Sequence, residues 1–441
     1  MKIDAGAGKI IEILQTHGFE AYLVGGCVRD LCLGSTPQDW DIATSARPEQ
    51  MQQLFPQTIA TGLKHGTVTV VLDGRKHYEV TTYRIDGEYA DARRPAQVTF
   101  TVSLEEDLRR RDFTINAMAY NRQAGVIDPF DGTGDLQRKI IRAVGKPEER
   151  FQEDALRMLR AVRFASRLGY EIETETAQSI ILKSQLLEKI SKERIRDELM
   201  KILTSEQPAF IGQLSSLGLM KYIIPEIEQG IGFDQRSVHH DKAVYAHTLA
   251  VIENVPNDPV LRLAALCHDI AKPVTFSLDE KGRGHFYGHH LVGERMTREI
   301  LQRLKFDQTT LHKVCILVRE HMSRLERLNE KSLKKLINRV EPENLNSLFA
   351  LQIADILASK PPHDFSGVLH LQTKIEKILN EKQPLTVKDL AVNGHDLMAW
   401  GMEPGIELGQ TLQWLLEKVW EDPELNMKEK LREEVKKGRN N

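Results

Sequence analysis

The segment AYLVGGCVRDLCLGSTPQDWDIATSARP constrains the fold of this chain more than any other. Its apolar start, residues 21–24, predicts a strand that runs directly into Gly25 and Gly26. Asp39 and Asp41 follow, one residue apart and just before another apolar run. Alternate residues of a strand point to the same face, so we expect these two carboxylates to project together.

Two carboxylates on one face repel each other unless a cation lies between them, and Mg²⁺ is the usual cation for oxygen ligands. The Gly25-Gly26 turn offers backbone N–H groups at the start of a predicted short helix, and Arg29 adds positive charge. Both features suit a triphosphate. Together they indicate a two-metal nucleotidyl transfer site. The alternative is a pair of solvated loop carboxylates behind an ordinary turn.

Length and composition favour a multidomain cytosolic enzyme. A chain of 441 residues exceeds one ordinary core, and we expect about two to four domains. The sequence shows no signal segment and no apolar run of about 18 residues, which argues against secretion and membrane spanning. The net charge of −3 means that a nucleic-acid partner must meet local basic faces. The four cysteines lack Cys-x-x-Cys spacing, which favours reduced thiols over a zinc ribbon: Cys27, Cys32, Cys267 and Cys315.

The first 120 or so residues are typical of a mixed α/β region. The stretch HGTVTVVLDGRKHYEVTTYR predicts a hairpin with Asp73-Gly74 at its turn. Glu79, in the second strand, stands among β-branched neighbours, and we expect it to be buried. It would complete a carboxylate triad with the two aspartates. A cross-strand pair with a lysine or arginine explains Glu79 equally well.

After Asp128 and the loop DPFDGTGD, helical periodicity dominates to the end of the chain. The sequence therefore predicts an α+β protein, with an α/β head followed by a long helical body. Proline-bearing turns near PEIEQG, NDPV and KQPLTV are candidate domain boundaries.

The segment LEEDLRRRDFTINAMAY carries three adjacent arginines, Arg109, Arg110 and Arg111, behind a predicted helix cap at Ser103 with Glu106. Three successive side chains cannot share one helix face. We therefore expect at least one arginine to point inward, towards the acidic site or a phosphate. The alternative is a solvated basic turn.

The stretch ERFQEDALRMLRAVRFASRLGY predicts a single amphipathic helix with a core stripe at Leu156, Leu159, Val162 and Ala165. Asp154, Arg157 and Arg160 step by three and would share a sector of about 120°, with Arg163 at its far edge. An aspartate acceptor and an arginine fork on one surface can hydrogen-bond to the edge of a base. The alternative is an ordinary i,i+3 ion pair on a solvated face.

The middle of the chain places histidines and aspartates in or beside apolar helical segments. Imidazoles and carboxylates that converge from several helices are a way to build a divalent-metal site. A lone histidine on an apolar face is usually a core residue, but an adjacent His-Asp pair with further histidines favours a site. The candidates are His247, His268, Asp269, His289, His321 and Asp355.

The motifs LVGGCVRD, DWD, EEDLRRRDFTINAMA, DPFDGTGDLQRKIIR and EDALRMLRAVRFASRL resemble, in unbroken order, those of the class II tRNA nucleotidyltransferases. This family contains the CCA-adding enzymes and bacterial poly(A) polymerases. The block from His247 to Asp355 resembles an HD-domain phosphohydrolase module, and DLMAWGMEPGIELGQTLQWLLEKVW is similar to the family's C-terminal segment. The implied domains are a polymerase β-like nucleotidyltransferase head (1–140), a base-recognising helical neck (141–205), a helical body with the HD module (206–385) and a helical, tRNA-binding tail (386–441).

The resemblance also implies roles by position. In the polymerase part, Asp39 and Asp41 would bind Mg²⁺, Gly26 and Arg29 would hold the triphosphate, and Arg111 would contact the nucleotide. Asp154 and Arg157 would read the base, supported by Arg160 and Arg163. In the HD module, a divalent transition metal or Mg²⁺ would be bound by His247, His268, Asp269 and Asp355. A second ion or a phosphate would engage His289 and His321. The module has GHH where GHE is common.

The predicted function is addition of C, C and A to the tRNA 3′ end from CTP and ATP, without a nucleic-acid template. A-only, CC-only and poly(A) addition are the alternatives within the family. The segment YRIDGEYADARRPAQVTF resembles the flexible loop that CC-adding relatives have shortened, and the lack of a long basic tail disfavours poly(A) synthesis. A different class of function is an inactive polymerase half beside a working HD hydrolase or RNA-binding module. The sequence sets no oligomeric state.

Overall fold

The computed structural model describes residues 1–73, 76–87, 98–236, 242–323, 329–381 and 383–439. The chain forms two compact units. Unit 1 comprises Met1–Glu228 with Arg303–Lys305, and unit 2 comprises Gln229–Gln302 with Phe306–Asn441.

Within the described residues, unit 1 contains a seven-stranded mixed sheet of order β3-β4-β5-β2-β1-β8-β9. The predicted hairpin is confirmed, since β4 pairs antiparallel with β5. Gly74 of its turn lies outside the described residues. The strands are β1 (Ala21–Val24), β2 (Ile42–Thr44), β3 (Thr58–Gly62), β4 (Thr67–Leu72), β5 (Lys76–Thr82), β8 (Ala119–Asn121) and β9 (Gly125–Ile127), with β6 (Arg84–Asp86) and β7 (Val98–Phe100) paired apart from it.

The centre of this sheet sets the position of the acidic residues. Gly25 ends β1 with a φ of 77°, a left-handed conformation that glycine adopts without strain, and the chain turns there into the next helix. Strand β2 lies antiparallel to β1 and parallel to β5, with Ile42 opposite Val80. This register brings the residue before Ile42 level with Glu79.

In unit 1, the first three helices contact strands of the sheet, and later helices pack mainly against one another. The helices of this unit are α1 (Ala5–Thr16), α2 (Gly26–Cys32), α3 (Pro48–Leu54), α4 (Leu104–Arg109), α5 (Gly132–Arg138), α6 (Pro147–Glu153), α7 (Leu156–Leu168), α8 (Thr174–Lys183), α9 (Lys192–Leu203), α10 (Gly212–Ser216) and α11 (Pro225–Glu228). Helices dominate after the head, as expected, and two short strands also pair here, β10 (Ile140–Ile141) and β11 (Glu171–Ile172).

Unit 2 is built mainly from helices. They are α12 (Val244–Asn254), α13 (Pro259–Cys267), α14 (His289–Arg303), α15 (Gln308–Glu320), α16 (Glu330–Val340), α17 (Leu345–Ala358), α18 (Ser366–Asn380), α19 (Gly394–Ala399), α20 (Ile406–Glu421) and α21 (Lys428–Arg439). A small hairpin joins β12 (Ser277–Leu278) to β13 (Gly284–His285). Helix α12 packs against α13 and α17, and α13 packs against α15. The α+β prediction is confirmed.

Gly132, the first residue of α5, lies against the backbone of another segment. A Cβ there would lie 2.3 Å from the carbonyl oxygen of Thr114. We expect Gly132→Ala to lower the free energy of unfolding by about 1–3 kcal/mol, since the backbone must shift to admit the methyl group. Gly8→Ala is the matched control. Gly8 lies inside α1 with open space at its Cβ position. Alanine there should raise the free energy of unfolding by about 0.5–1 kcal/mol. Urea unfolding measures the free energy of unfolding of both variants. Equal values for Gly132→Ala and Gly8→Ala would contradict the expectation.

Candidate active site and a second, histidine-rich site

Asp39 and Asp41 lie immediately before β2 rather than within it. Asp39 is exposed and Asp41 is half-buried. Burial, together with the charges of Glu79 and Asp39, raises the pKa of Asp41, while Arg111 opposes this shift. The three acids are therefore close enough to repel one another, and a divalent cation would relieve that repulsion. The donor set fits Mg²⁺.

Glu79 is exposed, so the expectation that it is buried is wrong. Strand β5 alternates, and the side chains of Tyr78 and Val80 occupy the buried face while Glu79 faces the other way. Its cross-strand neighbour on β4 is Thr69 rather than a lysine or arginine. Glu79 and Asp41 line one cavity of about 230 Å³, which keeps Glu79 beside the aspartates.

Of the three adjacent arginines, one lies at the surface and two point inward. Ser103 caps α4 as predicted, accepting a hydrogen bond from the Glu106 N–H. Arg109 is exposed and pairs with Glu105. Arg110 and Arg111 both bind the fully buried Asp107, at 2.7 Å and 3.1 Å.

Arg111 also reaches the glycine turn. A Cβ on Gly25 would lie 3.0 Å from Arg111 Nη1 and 3.9 Å from Asp41 Oδ2. The bare glycine backbone therefore leaves room for the guanidinium beside the acidic site.

A buried chain of hydrogen bonds connects the glycine turn to α7. Arg29 donates to Asn116 Oδ1 at 2.7 Å, and Asn116 donates to Asp112 Oδ1 at 3.2 Å. Arg160 Nε donates to Asp112 Oδ2 at 2.7 Å. Burial opposes ionisation of Asp112, but Arg160 and Arg157 hold its pKa down at about 2. Arg29 itself is buried and also pairs with Asp30.

The predicted single helix is in fact two helices that meet at Asp154 and Ala155, so Asp154 does not step by helical spacing to Arg157 and Arg160. Asp154 has φ −141° and ψ 103°, an extended conformation that ends α6. Its Oδ1 accepts from the Leu156 N–H at 3.0 Å. This local bond competes with continuation of the helix. The spacing of apolar residues does not reflect such a bond, so the sequence pattern predicted one helix.

The three predicted arginines of α7 have different partners. Arg157 donates to Glu153 and to the main-chain oxygens of Arg150 and Arg110. Arg160 pairs with Asp112, as described above. Arg163 turns away to Glu198 on α9, at 3.0 Å, and lies over the Phe164 ring at 4.4 Å.

A second cavity of unit 1, about 420 Å³ in volume, joins these features. Asp41, Arg110 and Arg111 line both this cavity and the one beside Glu79. Its wall is strongly basic, with seven arginines against three aspartates, so it suits a polyanion. The lining includes Gly25, Gly26, Arg29, Asp112, Asn116, Asp154, Arg157, Arg160, Phe164, Arg167 and Arg194.

Sequence reasoning missed Asn116, Arg167 and Arg194 in this cavity. Arg194, on α9, pairs with Asp154 Oδ2 at 2.8 Å. Nothing in the local pattern of KERIRDELM distinguishes Arg194 from Arg196, which pairs with Asp197. Only the packing of α9 on α7 selects one of them for the cavity.

In unit 2, the six predicted residues meet at one buried point. His268 ends α13 and Asp269 follows it, and His321 ends α15. His247, His289 and Asp355 come from α12, α14 and α17. They form two groups whose ligand atoms lie within 4.8 Å of one another: His247, His268 and Asp355, and Asp269, His289 and His321.

The histidines of this cluster are oriented by main-chain carbonyls. The Nδ1 atoms of His268, His289 and His321 lie 2.8, 2.8 and 2.6 Å from the carbonyl oxygens of residues 265, 286 and 318. Nδ1–H donation leaves each Nε2 with a lone pair, as a metal ligand requires. The Nε2 atoms of His289 and His321 are only 3.2 Å apart, so a cation between them would remove a repulsion.

Asp269 is the centre of this cluster. Its oxygens lie 3.2 Å from His268 Nε2 and 3.4 Å from His289 Nε2. Burial opposes ionisation, but His268 and Lys272 hold the pKa of Asp269 well below its usual value. Lys272, which the sequence reading did not single out, approaches to 2.7 Å. Burial lowers the pKa of His321 to about 3, so that imidazole is neutral at pH 7. The donor set fits divalent metal ions.

Three family models match successive parts of the chain. The poly A polymerase head domain matches residues 21–142, the probable RNA and SrmB-binding site of polymerase A matches residues 169–231, and the HD domain matches residues 242–360. A CCA-adding enzyme of Lactobacillus helveticus is 35% identical over 413 residues, covering 93% of this chain and 91% of that relative. The chain belongs to the CCA-adding enzyme family.

Another member of the CCA-adding enzyme family, from Lactobacillus delbrueckii subsp. bulgaricus, is 46% identical over 268 residues. That match covers 57% of this chain and 64% of the relative, which is less than two thirds of its length. Among solved structures, the Bacillus stearothermophilus CCA-adding enzyme in complex with CTP has a TM-score of 0.73 and 32% identity, over 100% of both chains.

The Thermotoga maritima CCA-adding enzyme complexed with tRNA shares the fold, with a TM-score of 0.58 and 21% identity over 99% of this chain and 96% of that one. Family membership and the HD domain imply dependence on divalent metal ions. Within the described residues, the helices are too short or too polar to cross a membrane.

Asp112 gives this site a pH-dependent contribution to stability. Its pKa falls from the ordinary 3.8 to about 2 in the folded protein, so the stabilisation is complete above pH 3.8 and is lost as the pH falls towards 2. We expect Asp112→Asn to lower the free energy of unfolding by about 2 kcal/mol at pH 7, and the difference from wild type to shrink below pH 4.

Asp131→Asn is the control, because Asp131 pairs with Arg138 at the exposed surface. Urea unfolding at pH 7 and pH 3 measures all three proteins. A difference between wild type and Asp112→Asn that is the same at both pH values would contradict the expectation.

Proposed function

We propose that this protein adds C, C and A to the 3′ end of tRNA from CTP and ATP, without a nucleic-acid template. The observation that carries the proposal is that two cavities adjoin, because Asp41, Arg110 and Arg111 line both of them. A cluster of carboxylates thereby adjoins a basic pocket of about 420 Å³, whose charge suits a nucleoside triphosphate. We further assign the enzyme to the cytosol, where reduced thiols such as its four free cysteines persist.

The residues divide the work along the two cavities. Gly26, Arg29 and Arg111 hold the triphosphate by backbone N–H groups and guanidinium charge. Asp39 and Asp41, with Glu79 beside them, would hold Mg²⁺ where the tRNA 3′-hydroxyl meets the α-phosphate. Bound Mg²⁺ would lower the pKa of that hydroxyl and stabilise the pyrophosphate leaving group.

Base choice follows from hydrogen-bond complementarity. Cytosine and adenine both present an exocyclic amine donor beside a ring nitrogen acceptor. Asp154 accepts from the amine and Arg157 donates to the ring nitrogen, with Arg160 and Arg163 as supports. Uracil and guanine have the donor and acceptor reversed, so the same pair rejects them. Arg163 supports α7 from the side of Glu198 rather than from the cavity.

A-only, CC-only and poly(A) addition remain alternatives within the family. Residues 88–97 of the segment that resembles the flexible loop lie outside the described residues. Its flanks, β6 and β7, pair with each other. A full-length segment of this kind favours CCA addition over CC addition.

The first test of this function removes one acidic residue. We expect Asp41→Asn or Asp39→Asn to reduce nucleotide addition at least about a hundredfold, because the metal site loses a charged ligand. The assay incubates tRNA lacking its 3′ end with each labelled nucleotide and measures product lengths. Those lengths also separate CCA from A-only, CC-only and poly(A) addition.

Glu49→Gln is the matched control for this test, since Glu49 is an exposed acid at the start of α3. It should add nucleotides at the wild-type rate. Wild-type rates in both aspartate variants would show that the carboxylates are ordinary surface groups.

We propose a second activity for unit 2, metal-dependent hydrolysis of 2′,3′-cyclic phosphates or phosphomonoesters. Its support is a buried group of three histidines around one carboxylate. The Nε2 atoms of His268, His289 and His321 all lie within 4 Å of the Asp269 oxygens. His247 and Asp355 join from two further helices at 2.9 Å from each other. A bound divalent ion would supply hydroxide and polarise the phosphate. The competing reading is an HD fold retained only as a scaffold.

For this second site, purified protein should retain a divalent ion and hydrolyse a cyclic nucleotide with Mn²⁺, Ni²⁺, Co²⁺ or Mg²⁺. We expect His268→Ala to lose most of the bound metal and the hydrolysis but to keep adding nucleotides to tRNA, because His268 belongs to unit 2 alone. Metal content by atomic emission and phosphate release are the measurements.

His370→Ala is the matched control, because His370 is an exposed histidine of α18 in the same unit. It should keep both metal and hydrolysis. If the wild type binds no divalent ion and hydrolyses nothing with any of the four metals, the scaffold reading replaces the proposal.

A further inference from the structure

Asp154 is held by two bonds of different origin. Its Oδ1 accepts from the backbone N–H of Leu156 at 3.0 Å, and its Oδ2 accepts from Arg194 Nη2 at 2.8 Å. A carboxylate has about four acceptor positions, so each oxygen keeps one position for a ligand. The two bonds together fix both the place and the plane of the carboxylate.

Arg194 is more than a surface partner of Asp154. It lines the same basic cavity, and only 24% of its side chain is exposed. Its Nη1 is buried and, among the described residues, has no hydrogen-bond partner. A buried, unsatisfied guanidinium nitrogen is costly unless it serves a ligand or holds a required geometry.

The guanidinium of Arg157 is held by neighbouring groups. Its Nη1 already binds Glu153 and the Arg150 oxygen, and its Nη2 binds the Arg110 oxygen. These bonds fix the orientation of Arg157, the hydrogen-bond donor of the base-reading pair. The acceptor side, Asp154, depends for its orientation on Arg194.

We propose that Arg194 is a positioning residue that sets base selectivity by holding the Asp154 carboxylate in the plane where it accepts from an exocyclic amine. This inference rests on the proposed nucleotide addition and on the reading of the base by Asp154. Without Arg194, the backbone bond to Leu156 alone leaves the carboxylate free to rotate. A rotated carboxylate loses its hydrogen bond to the amine of cytosine or adenine. It also repels the carbonyl oxygen of uracil or guanine less, so the selectivity falls.

The packing of unit 1 supports this role. Helix α9 packs on α7 and places two side chains one turn apart, Arg194 on Asp154 just before α7 and Glu198 on Arg163 within it. Arg196, between them, faces elsewhere and pairs with Asp197. The chain therefore offers a matched control on the same helix.

The experiment compares wild type, Arg194→Ala, Arg194→Lys and Arg196→Ala. The readout is kcat/KM for CTP against UTP and for ATP against GTP, on tRNA that ends before the added nucleotide. We expect Arg194→Ala to lower these ratios by about tenfold or more, the scale of one good hydrogen-bonded base contact. Arg194→Lys keeps the charge without the fork and should lose part of the selectivity. Arg196→Ala should match the wild type.

Asp154→Ala and the double variant Asp154→Ala/Arg194→Ala complete the test. If Arg194 acts through Asp154, the double variant should be no less selective than Asp154→Ala alone. A ratio measured on one preparation is insensitive to the fraction of folded protein, so a merely structural ion pair would lower all four rates and leave the ratios unchanged. That outcome, or additive losses in the double variant, would overturn the inference.

The failure of this inference and the failure of the proposed function are distinguishable. Wild-type protein that adds no nucleotide to tRNA would refute the proposed function. Wild-type protein that selects C and A, alongside an Arg194→Ala variant that selects them equally well, would refute only the role of Arg194.

Discussion

The packing of unit 1 depends on one buried carboxylate, that of Asp112. Asn116 and Arg160 both bind it, and through Asn116 it connects to Arg29 behind the glycine turn. A buried charge is stable only when it is paired and hydrogen-bonded, so the segments that carry these partners must pack together. The result ties α2, which follows the glycine turn, to α7, which carries Arg157 and Arg160.

Many of the arginines in unit 1 have partners within the protein. Several guanidiniums are consumed by internal partners, as Arg110 and Arg111 are by Asp107. The Phe164 ring lies within 5.4 Å of three others, those of Arg29, Arg160 and Arg163. Cation–π contact and internal ion pairs hold positive charges close together while the cavity still presents net positive charge to a polyanion.

The two candidate sites share one physical logic. In unit 1, Asp41 is raised in pKa by burial and by neighbouring acids. In unit 2, His289 and His321 face each other through Nε2 atoms 3.2 Å apart. Each arrangement holds mutually repelling groups close together, in unit 2 with the help of hydrogen bonds to main-chain carbonyls. A fold that keeps such groups side by side is prepared for a cation, and this is the common basis of both proposals.

The sequence by itself determined the local features of this protein. The strand-glycine-helix turn, the β4–β5 hairpin, the Ser103 cap and the division into an α/β head and a helical body all depend on short-range periodicity and turn chemistry. Family motifs added the candidate residues. Local pattern, however, misjudged Glu79 as buried and ran one helix through Asp154, because neither burial nor a side-chain cap is a property of spacing.

Only the tertiary structure decided which side chains meet. Arg194 and Arg196 are equivalent by sequence, yet the packing of α9 on α7 gives one of them to Asp154. Helix packing likewise brought His247 and Asp355, which are 108 residues apart, to 2.9 Å. The physical reason is that local sequence fixes dihedral angles and faces, whereas contacts between distant residues are fixed by how those faces bury one another.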